Sequence, residues 1–316
     1  MKKKIKYLLG TLLLIGMASF ILYFYWNTQP YYKKYHYIAH ALGGIDNKKY
    51  TNSKEAMEYS YSMGNRLMEV DLVLTSDKQL VARHKWSNDL GDNFSDENIP
   101  DSDTFLSSKI YEKYTPVDIK TIILFAMEHP DVYFITDIKS YKNEMMDMLE
   151  IIKDTSNELG FTDFTKRFII QVYNYENYEL VNQNFQFENY IFTLYRMVDV
   201  FKDNQIDQVI QFCVDKQINV ITIPQKYITK EIAKKAKESD ILIYVNTINS
   251  RKEMLKLRLM GVNGVYTDFI YTFKIVESVI KLMALGIGII SSVLTLIYYV
   301  SKKKKCQVSV NVLQSE

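Results

Sequence analysis

Apolar positions along the chain fall into two patterns. Short runs rich in β-branched and aromatic residues recur at Tyr37–His40, Leu67–Leu72, Tyr133–Asp137, Phe168–Val172, Tyr190–Leu194, Val220–Ile223, Ile241–Val245 and Gly264–Thr267. Runs of this length and composition read as strands. Between them lie longer amphipathic stretches that predict helices. Ser53–Met63 follows Asn52 as N-cap, and Tyr141–Leu159 is stopped by Gly160. Lys230–Glu238 and Arg251–Met260, the latter stopped by Gly261, complete the clear cases. About eight strands alternating with helices in roughly 240 residues predict an α/β fold, a (β/α)8 TIM-type barrel rather than an open sheet. A turn at Thr75–Gln79 adds a further strand, Leu80–His84. The Asp-, Asn- and Ser-rich segment Trp86–Ser108 breaks the alternation and is expected as a long loop near the barrel mouth.

Two apolar runs do not belong to this pattern. Tyr7–Trp26 carries no charge, follows Lys2, Lys3, Lys4 and Lys6, and ends in the aromatic cluster Tyr23, Phe24, Tyr25 and Trp26. It is long enough for a membrane-spanning helix with an interfacial aromatic belt. A cleavable signal peptide would have a shorter apolar core and a small-residue cleavage site, which is not evident here. Leu282–Ser301 repeats the pattern and is followed by Lys302–Lys305. Lysines on the outer sequence ends of both runs place both termini in the cytoplasm. The expected organisation is a basic cytoplasmic tail (1–6), a transmembrane helix (7–26), an extracytoplasmic barrel (31–275), a second transmembrane helix (279–301) and a basic cytoplasmic tail (302–316). The expectation is a two-pass protein of the cell membrane.

The formal net charge is +2, and the terminal lysines supply it. The segment between the apolar runs is therefore mildly acidic, which argues against nucleic acid as a partner. Cys213 and Cys306 would lie on opposite sides of the membrane and cannot pair. Cys213 is expected as a small buried hydrophobe in a helix. Without disulfides the barrel must rest on its apolar core, for which its length suffices.

Candidate chemistry gathers where the apolar runs stop. His40 ends the first, His84 ends the added strand, and Asp137 ends the third. Glu69 and Asp71 stand two apart in the second and so share one face. Lys139 follows Asp137 by the same spacing. In a barrel of this kind, the C-terminal strand ends carry the chemistry. Carboxylates flanked by two histidines suit a divalent cation and an acid–base pair. The remaining histidines, His36 and His129, read as structural.

These residues resemble the glycerophosphodiester phosphodiesterase family, within the wider group of phosphatidylinositol-specific phospholipase C-like barrels. The family pattern opens on His-Arg-Gly and runs through Glu-Asn-Thr, Glu-x-Asp, a threonine and Asp-Gly turn, and a strand ending in His-Asp. It then continues to Glu-x-Lys, Thr-Val-Asn and a closing Gly-Val-Asp-Gly-Ile-x-Thr-Asp. The corresponding residues here are His40, Thr51-Asn52-Ser53, Glu69-x-Asp71, Thr75-Ser76-Asp77-Lys78 and His84-Lys85. They are followed by Asp137-Ile138-Lys139, Thr247-Ile248-Asn249 and the block from Gly261 to Asp268. The resemblance covers nearly the whole segment between the apolar runs. The chain departs from it at Ala41 (for Arg), Thr51 (for Glu), Lys85 (for Asp), Asp137 (for Glu) and Asn246 (for an aromatic).

The resemblance implies that Glu69, Asp71 and Asp137 hold one Ca²⁺ or Mg²⁺, that His40 and His84 are general acid and base, and that Lys139 neutralises phosphate. It implies substrate-binding roles for Asn52 and Asn249. The expected activity is metal-dependent cleavage of glycerophosphodiesters, lysophospholipid or phospholipid headgroups, or phosphodiester-linked wall polymers. Two alternatives stay open at the level of sequence. The departures at Ala41 and Lys85 also suit a non-catalytic envelope binding domain. A lyase that resembles sphingomyelinase D and forms a cyclic phosphate would use similar residues.

Overall fold

The computed structural model describes residues 28–273 except 139, 141, 142, 203 and 204, together with residues 17, 20, 21, 24 and 25. The chain divides into units 1–270 and 271–316, and the second lies almost wholly outside the described residues. Both apolar runs expected to span a membrane also fall outside them, apart from the five residues just named. Among the described residues, no helix is long and apolar enough to cross a membrane.

The strands are β1 (Tyr37–Ala39), β2 (Leu67–Leu74), β3 (Leu80–Ala82), β4 (Tyr133–Ile138), β5 (Phe168–Val172), β6 (Tyr190–Thr193), β7 (Val220–Pro224), β8 (Leu242–Asn246) and β9 (Gly264–Thr267). All but β3 pair in parallel, and β1 bonds to both β2 and β9, so the sheet closes into a barrel. The helices are α1 (Tyr31–Lys34), α2 (Lys54–Ser62), α3 (Ser102–Ser107), α4 (Ile119–Glu128), α5 (Asn143–Glu158), α6 (Phe164–Arg167), α7 (Tyr175–Phe185), α8 (Ile206–Asp215), α9 (Lys230–Glu238) and α10 (Arg251–Leu259). The expected (β/α)8 barrel is present, with β3 folded back antiparallel on β2 as an extension.

The barrel interior is layered. Tyr31, Ile38, Leu67, Ile135, Ile169, Ile191, Val220, Tyr244 and Tyr266 form an apolar layer toward the N-terminal ends of the strands. Tyr31, from α1, is only 4% exposed and closes this end. The Tyr244 hydroxyl ties α1 down by donating to the Tyr35 carbonyl at 2.6 Å. Because side chains alternate, the next inward positions up the strands are two residues further on. They include Glu69, Asp137, Gln171, Thr193, Thr222 and Asp268, all buried polar groups. Tyr266 joins the layers by donating its hydroxyl to Gln171 Oε1 at 3.0 Å. A barrel whose interior turns polar toward one end has its chemistry at that end.

Several expectations need correction. Asn52 does not cap α2. Ser53 does, accepting the Ala56 N–H on its hydroxyl at 3.3 Å. The first strand stops at Ala39, and His40 opens a 3₁₀ turn through Leu42. β3 stops at Ala82, two residues before His84. The 86–108 segment is not a bare loop. It contains a 3₁₀ turn at Asn88–Leu90 and helix α3, and Trp86 and Phe105 pack with Val81 into a satellite core. Helices α4, α7 and α8 were not expected in detail, although Cys213 is buried in α8 as predicted. His129 caps the end of α4.

Candidate active site

The register of β2 against β4 creates the centre. Asp71 pairs with Asp137 and Glu69 with Ile135, so the carboxylates meet at the polar end of the barrel. One oxygen from each of Glu69, Asp71 and Asp137 lies within 4.8 Å of the others, and all three residues are buried. Burial and the neighbouring Asp71 charge push the Glu69 carboxyl well above the usual range, against the pull of His40 and the Ala41 N–H. Three buried carboxylates this close repel one another, and an all-oxygen donor set fits a hard divalent cation. The residues present therefore suit the Ca²⁺ or Mg²⁺ expected from sequence.

Each carboxylate is held by specific donors. The Asn52 amide donates to Asp71 Oδ2 at 2.9 Å and accepts the Asp71 N–H at 3.2 Å. Asn52 itself sits at φ +44, in the left-handed region that asparagine tolerates better than most residues. Ala41, at φ +51, turns its N–H onto Glu69 Oε2 at 2.6 Å. The arginine absent at this position therefore leaves the carboxylates supported. Asp137 Oδ1 accepts from Gln171 at 3.2 Å, from Tyr195 at 3.0 Å and from the Tyr173 hydroxyl. Arg196 covers these tyrosines, with its guanidinium 4.5 Å from the Tyr173 ring.

His40 lies beside this centre. Its Nδ1 is 2.8 Å from Asp268 Oδ1, at the end of β9. Asn249 holds the same carboxylate, donating to Oδ2 at 2.6 Å and accepting the Asp268 N–H at 2.8 Å. Burial works against a charged His40 ring. The Asp268 hydrogen bond and the charges of Glu69, Asp268 and Asp71 outweigh it and raise the pKa to about 9. Asp268 is held low despite its burial, with His40 the strongest opposing influence. The turn carrying His40 is fixed by Gly43, at φ +100, whose N–H bonds the His40 carbonyl at 2.8 Å. A Cβ there would sit 2.0 Å from Ser60 Oγ, so only glycine fits.

His84 reaches the mouth from the β2–β3 extension. The Arg83 N–H donates to the Asp71 carbonyl at 3.0 Å, which fixes the backbone beside it. The Arg83 side chain is 1% exposed and forms a two-pronged pair with Asp92 at 2.9 and 3.0 Å. The Tyr50 ring stands between the two histidines, with its centroid 4.7 Å from each. Lys49 reaches Asp268 Oδ2 at 3.7 Å. A cavity of about 310 Å³ adjoins His84. A larger depression of about 470 Å³, lined by Lys237, Arg258 and Asn263, lies at the opposite end of the strands, away from every candidate group.

The fold thus gathers His40, Glu69, Asp71, Asp137, Asn52, Asn249 and His84 at one end of the barrel, while Lys139 lies outside the described residues. Both asparagines expected on substrate are engaged with buried carboxylates. Reasoning from sequence missed Asp268, Gln171, Tyr173, Tyr195 and Tyr50. Asp268 had a signal in its position at the end of a strand and of a matching block. The tyrosines had none in a chain with 25 of them.

Comparison with known proteins shows the family and the fold. The profile of the glycerophosphoryl diester phosphodiesterase family matches residues 44–272, beginning just after His40. No match was found among curated proteins. Solved structures share the fold. An Oleispira antarctica phosphodiesterase in complex with the product sn-glycerol-3-phosphate superposes with a TM-score of 0.61 at 13% identity, over 76% of this chain and 95% of that one. A glycerophosphodiester phosphodiesterase of Parabacteroides distasonis gives 0.58 at 15% identity, covering 79% and 98%. That of Thermotoga maritima gives 0.55 at 17% identity, covering 74% and 94%. The chain belongs to the glycerophosphoryl diester phosphodiesterase family and is a phosphoric diester hydrolase by class.

Proposed function

We propose that this protein is a membrane-anchored, cation-dependent phosphodiesterase that cleaves glycerophosphodiester-type bonds on the outer face of the cell membrane. The observation that carries the reading is the cluster of Glu69, Asp71 and Asp137, with His40 held at its edge by Asp268. A divalent cation held by those three carboxylates would polarise the phosphoryl oxygens. The histidines do the proton work. With Nδ1 committed to Asp268, His40 offers Nε2, and the Asp268 carboxylate favours the charged form of the ring, which suits a general acid. His84, across Tyr50, takes the proton from the attacking oxygen as that oxygen bonds to phosphorus. The bond to the alcohol breaks, and His40 protonates the departing alkoxide. Water as nucleophile gives a phosphomonoester, and a neighbouring substrate hydroxyl gives a cyclic phosphate.

The anchoring rests on sequence. Runs 7–26 and 282–301, each flanked by lysines on its outer side, support a two-pass topology with cytoplasmic termini. The product bound by the Oleispira enzyme, a glycerol phosphate, supports a substrate that releases such a group: glycerophosphodiesters, or lipid headgroups and wall polymers built from them.

The test uses the full chain in detergent. Phosphorus NMR would follow glycerophosphodiesters with Ca²⁺, with Mg²⁺ and with a chelator, beside His40→Ala. Turnover that requires a cation and is lost in His40→Ala is expected. Cation-independent turnover, or turnover unchanged in the variant, would sink the mechanism, and the identity of the phosphorus product separates hydrolase from lyase.

A further inference from the structure

The barrel mouth is divided electrostatically. Four carboxylates, Glu69, Asp71, Asp137 and Asp268, crowd the barrel axis, and all are buried. The cavity beside His84 has the opposite character. Its walls are Lys49, Tyr50, His84, Lys85, Asp89, Leu90 and Tyr111. Lys48 adds a third ammonium group, 4.4 Å from the centre of the Tyr111 ring. Asp89 is the one acid on these walls. Lys85 reaches it at 3.5 Å, and its carboxyl is held low chiefly by the Ser87 hydroxyl. Lys49, which also lies 3.7 Å from Asp268 Oδ2, and Lys85 are 48% and 56% exposed, so both ion pairs are screened by solvent and can be exchanged for a ligand phosphate at little cost.

A cation at the carboxylates accounts for one phosphate of a substrate. It does not account for a basic cavity that shares His84 with the reacting centre. At about 310 Å³ the cavity is at the small end of ligand pockets, large enough for one polar group. Lysines lining a concave wall bind phosphate as point charges.

We propose that this cavity is a subsite for a second phosphate, carried by the substrate next to the scissile diester, and that Lys49 and Lys85 hold it. The proposal rests on the phosphodiesterase reading only for the identity of the first phosphate. The preferred substrate is then a diester whose alcohol bears a further phosphate. Either a polyol-phosphate chain or a small diester with a terminal phosphate presents that chemistry. A neutral headgroup leaves the basic half of the mouth unused.

Binding tests the subsite without depending on turnover. Calorimetry on the full chain in detergent, with saturating Ca²⁺, would compare glycerol 1,3-bisphosphate with glycerol 3-phosphate. The bisphosphate is expected to bind at least about tenfold tighter. That ratio should fall toward one in Lys49→Gln and in Lys85→Gln and persist in Lys234→Gln, a surface lysine of α9. Equal affinity for the two probes, or a preference that survives both cavity substitutions, overturns the proposal. Turnover then names the source. kcat/KM is measured on a polyol-phosphate chain and on a small diester with a terminal phosphate, each beside its one-phosphate counterpart. An advantage for one of them supports the subsite and identifies the substrate, and turnover of these diesters with an advantage for neither overturns it. A binding preference with no turnover of any diester would leave the subsite standing and sink the hydrolase reading instead.

Discussion

Asp268 Oδ1 lies 2.8 Å from His40 Nδ1, joining the last strand of the barrel to the turn after the first. The two residues are 228 positions apart and are brought together by the pairing of β1 with β9. A carboxylate on Nδ1 fixes the ring orientation and the tautomer that exposes Nε2. Asp268→Asn keeps the shape and loses the charge. kcat is expected to fall by about 10²–10⁴-fold, the usual contribution of a positioned acid–base group, with KM little changed. Steady-state kinetics would show this, and an unchanged kcat would remove Asp268 from the mechanism.

Tyr50 packs its ring against both histidines. If that contact aligns them, Tyr50→Ala lowers kcat by about 10–100-fold, the scale of a misplaced reacting group. Tyr50→Phe keeps the ring and should retain most of the activity. Equal losses in the two variants would assign the effect to the hydroxyl rather than to packing.

The carboxylate cluster predicts a thermal response to cations. A ligand that binds only the folded state stabilises by mass action, about 2.7 kcal/mol at a hundredfold excess over Kd. Saturating Ca²⁺ or Mg²⁺ should therefore raise Tm by several degrees, and Glu69→Gln should lose most of that rise. Differential scanning fluorimetry with and without a chelator reads it. A Tm indifferent to both cations would show that the cluster holds neither.

Stability of the mouth depends on Arg83. Its guanidinium pairs with Asp92 and also bonds the Lys85 carbonyl at 2.8 Å and the Ser87 carbonyl at 2.6 Å. Removing one partner of a buried ion pair leaves an uncompensated charge. Asp92→Ala should cost about 3–5 kcal/mol in denaturant unfolding. A loss below about 1 kcal/mol would mean that the pair is solvated.

His36 gives a pH dependence away from the site. Burial, and then the Arg258 charge, lower its pKa to about 4, while a hydrogen bond with the Asn263 backbone opposes them. The unfolded residue titrates near 6.5, so between pH 6.5 and 4 the unfolded state binds the extra proton. This residue therefore takes stability away as pH falls through that window and takes none above it. His36→Gln should flatten the fall in urea midpoint between pH 6.5 and 4. Parallel curves for wild type and variant would refute the assignment.

The barrel was legible in the order of residues alone, because strands buried on both faces must be apolar and the helices between them must be amphipathic. Most of the centre was legible there too. Glu69 and Asp71 share a strand face by period alone, and His40 and Asp137 stand at or next to strand ends. What lay beyond it were relations that cross the closed sheet. Only the β2–β4 register sets Asp71 beside Asp137, and only closure through β1 and β9 hands Asp268 to His40. Asn52 shows the limit most clearly. Local propensity makes it a helix cap, but a left-handed backbone turns its amide inward to Asp71, and Ser53 takes the cap. The ring of Tyr50 and the hydroxyls of Tyr173 and Tyr195 carry no local signal, because a tyrosine's role depends on what its far end meets. Periodicity reports which face a side chain takes, and closure of the barrel decides what that face meets.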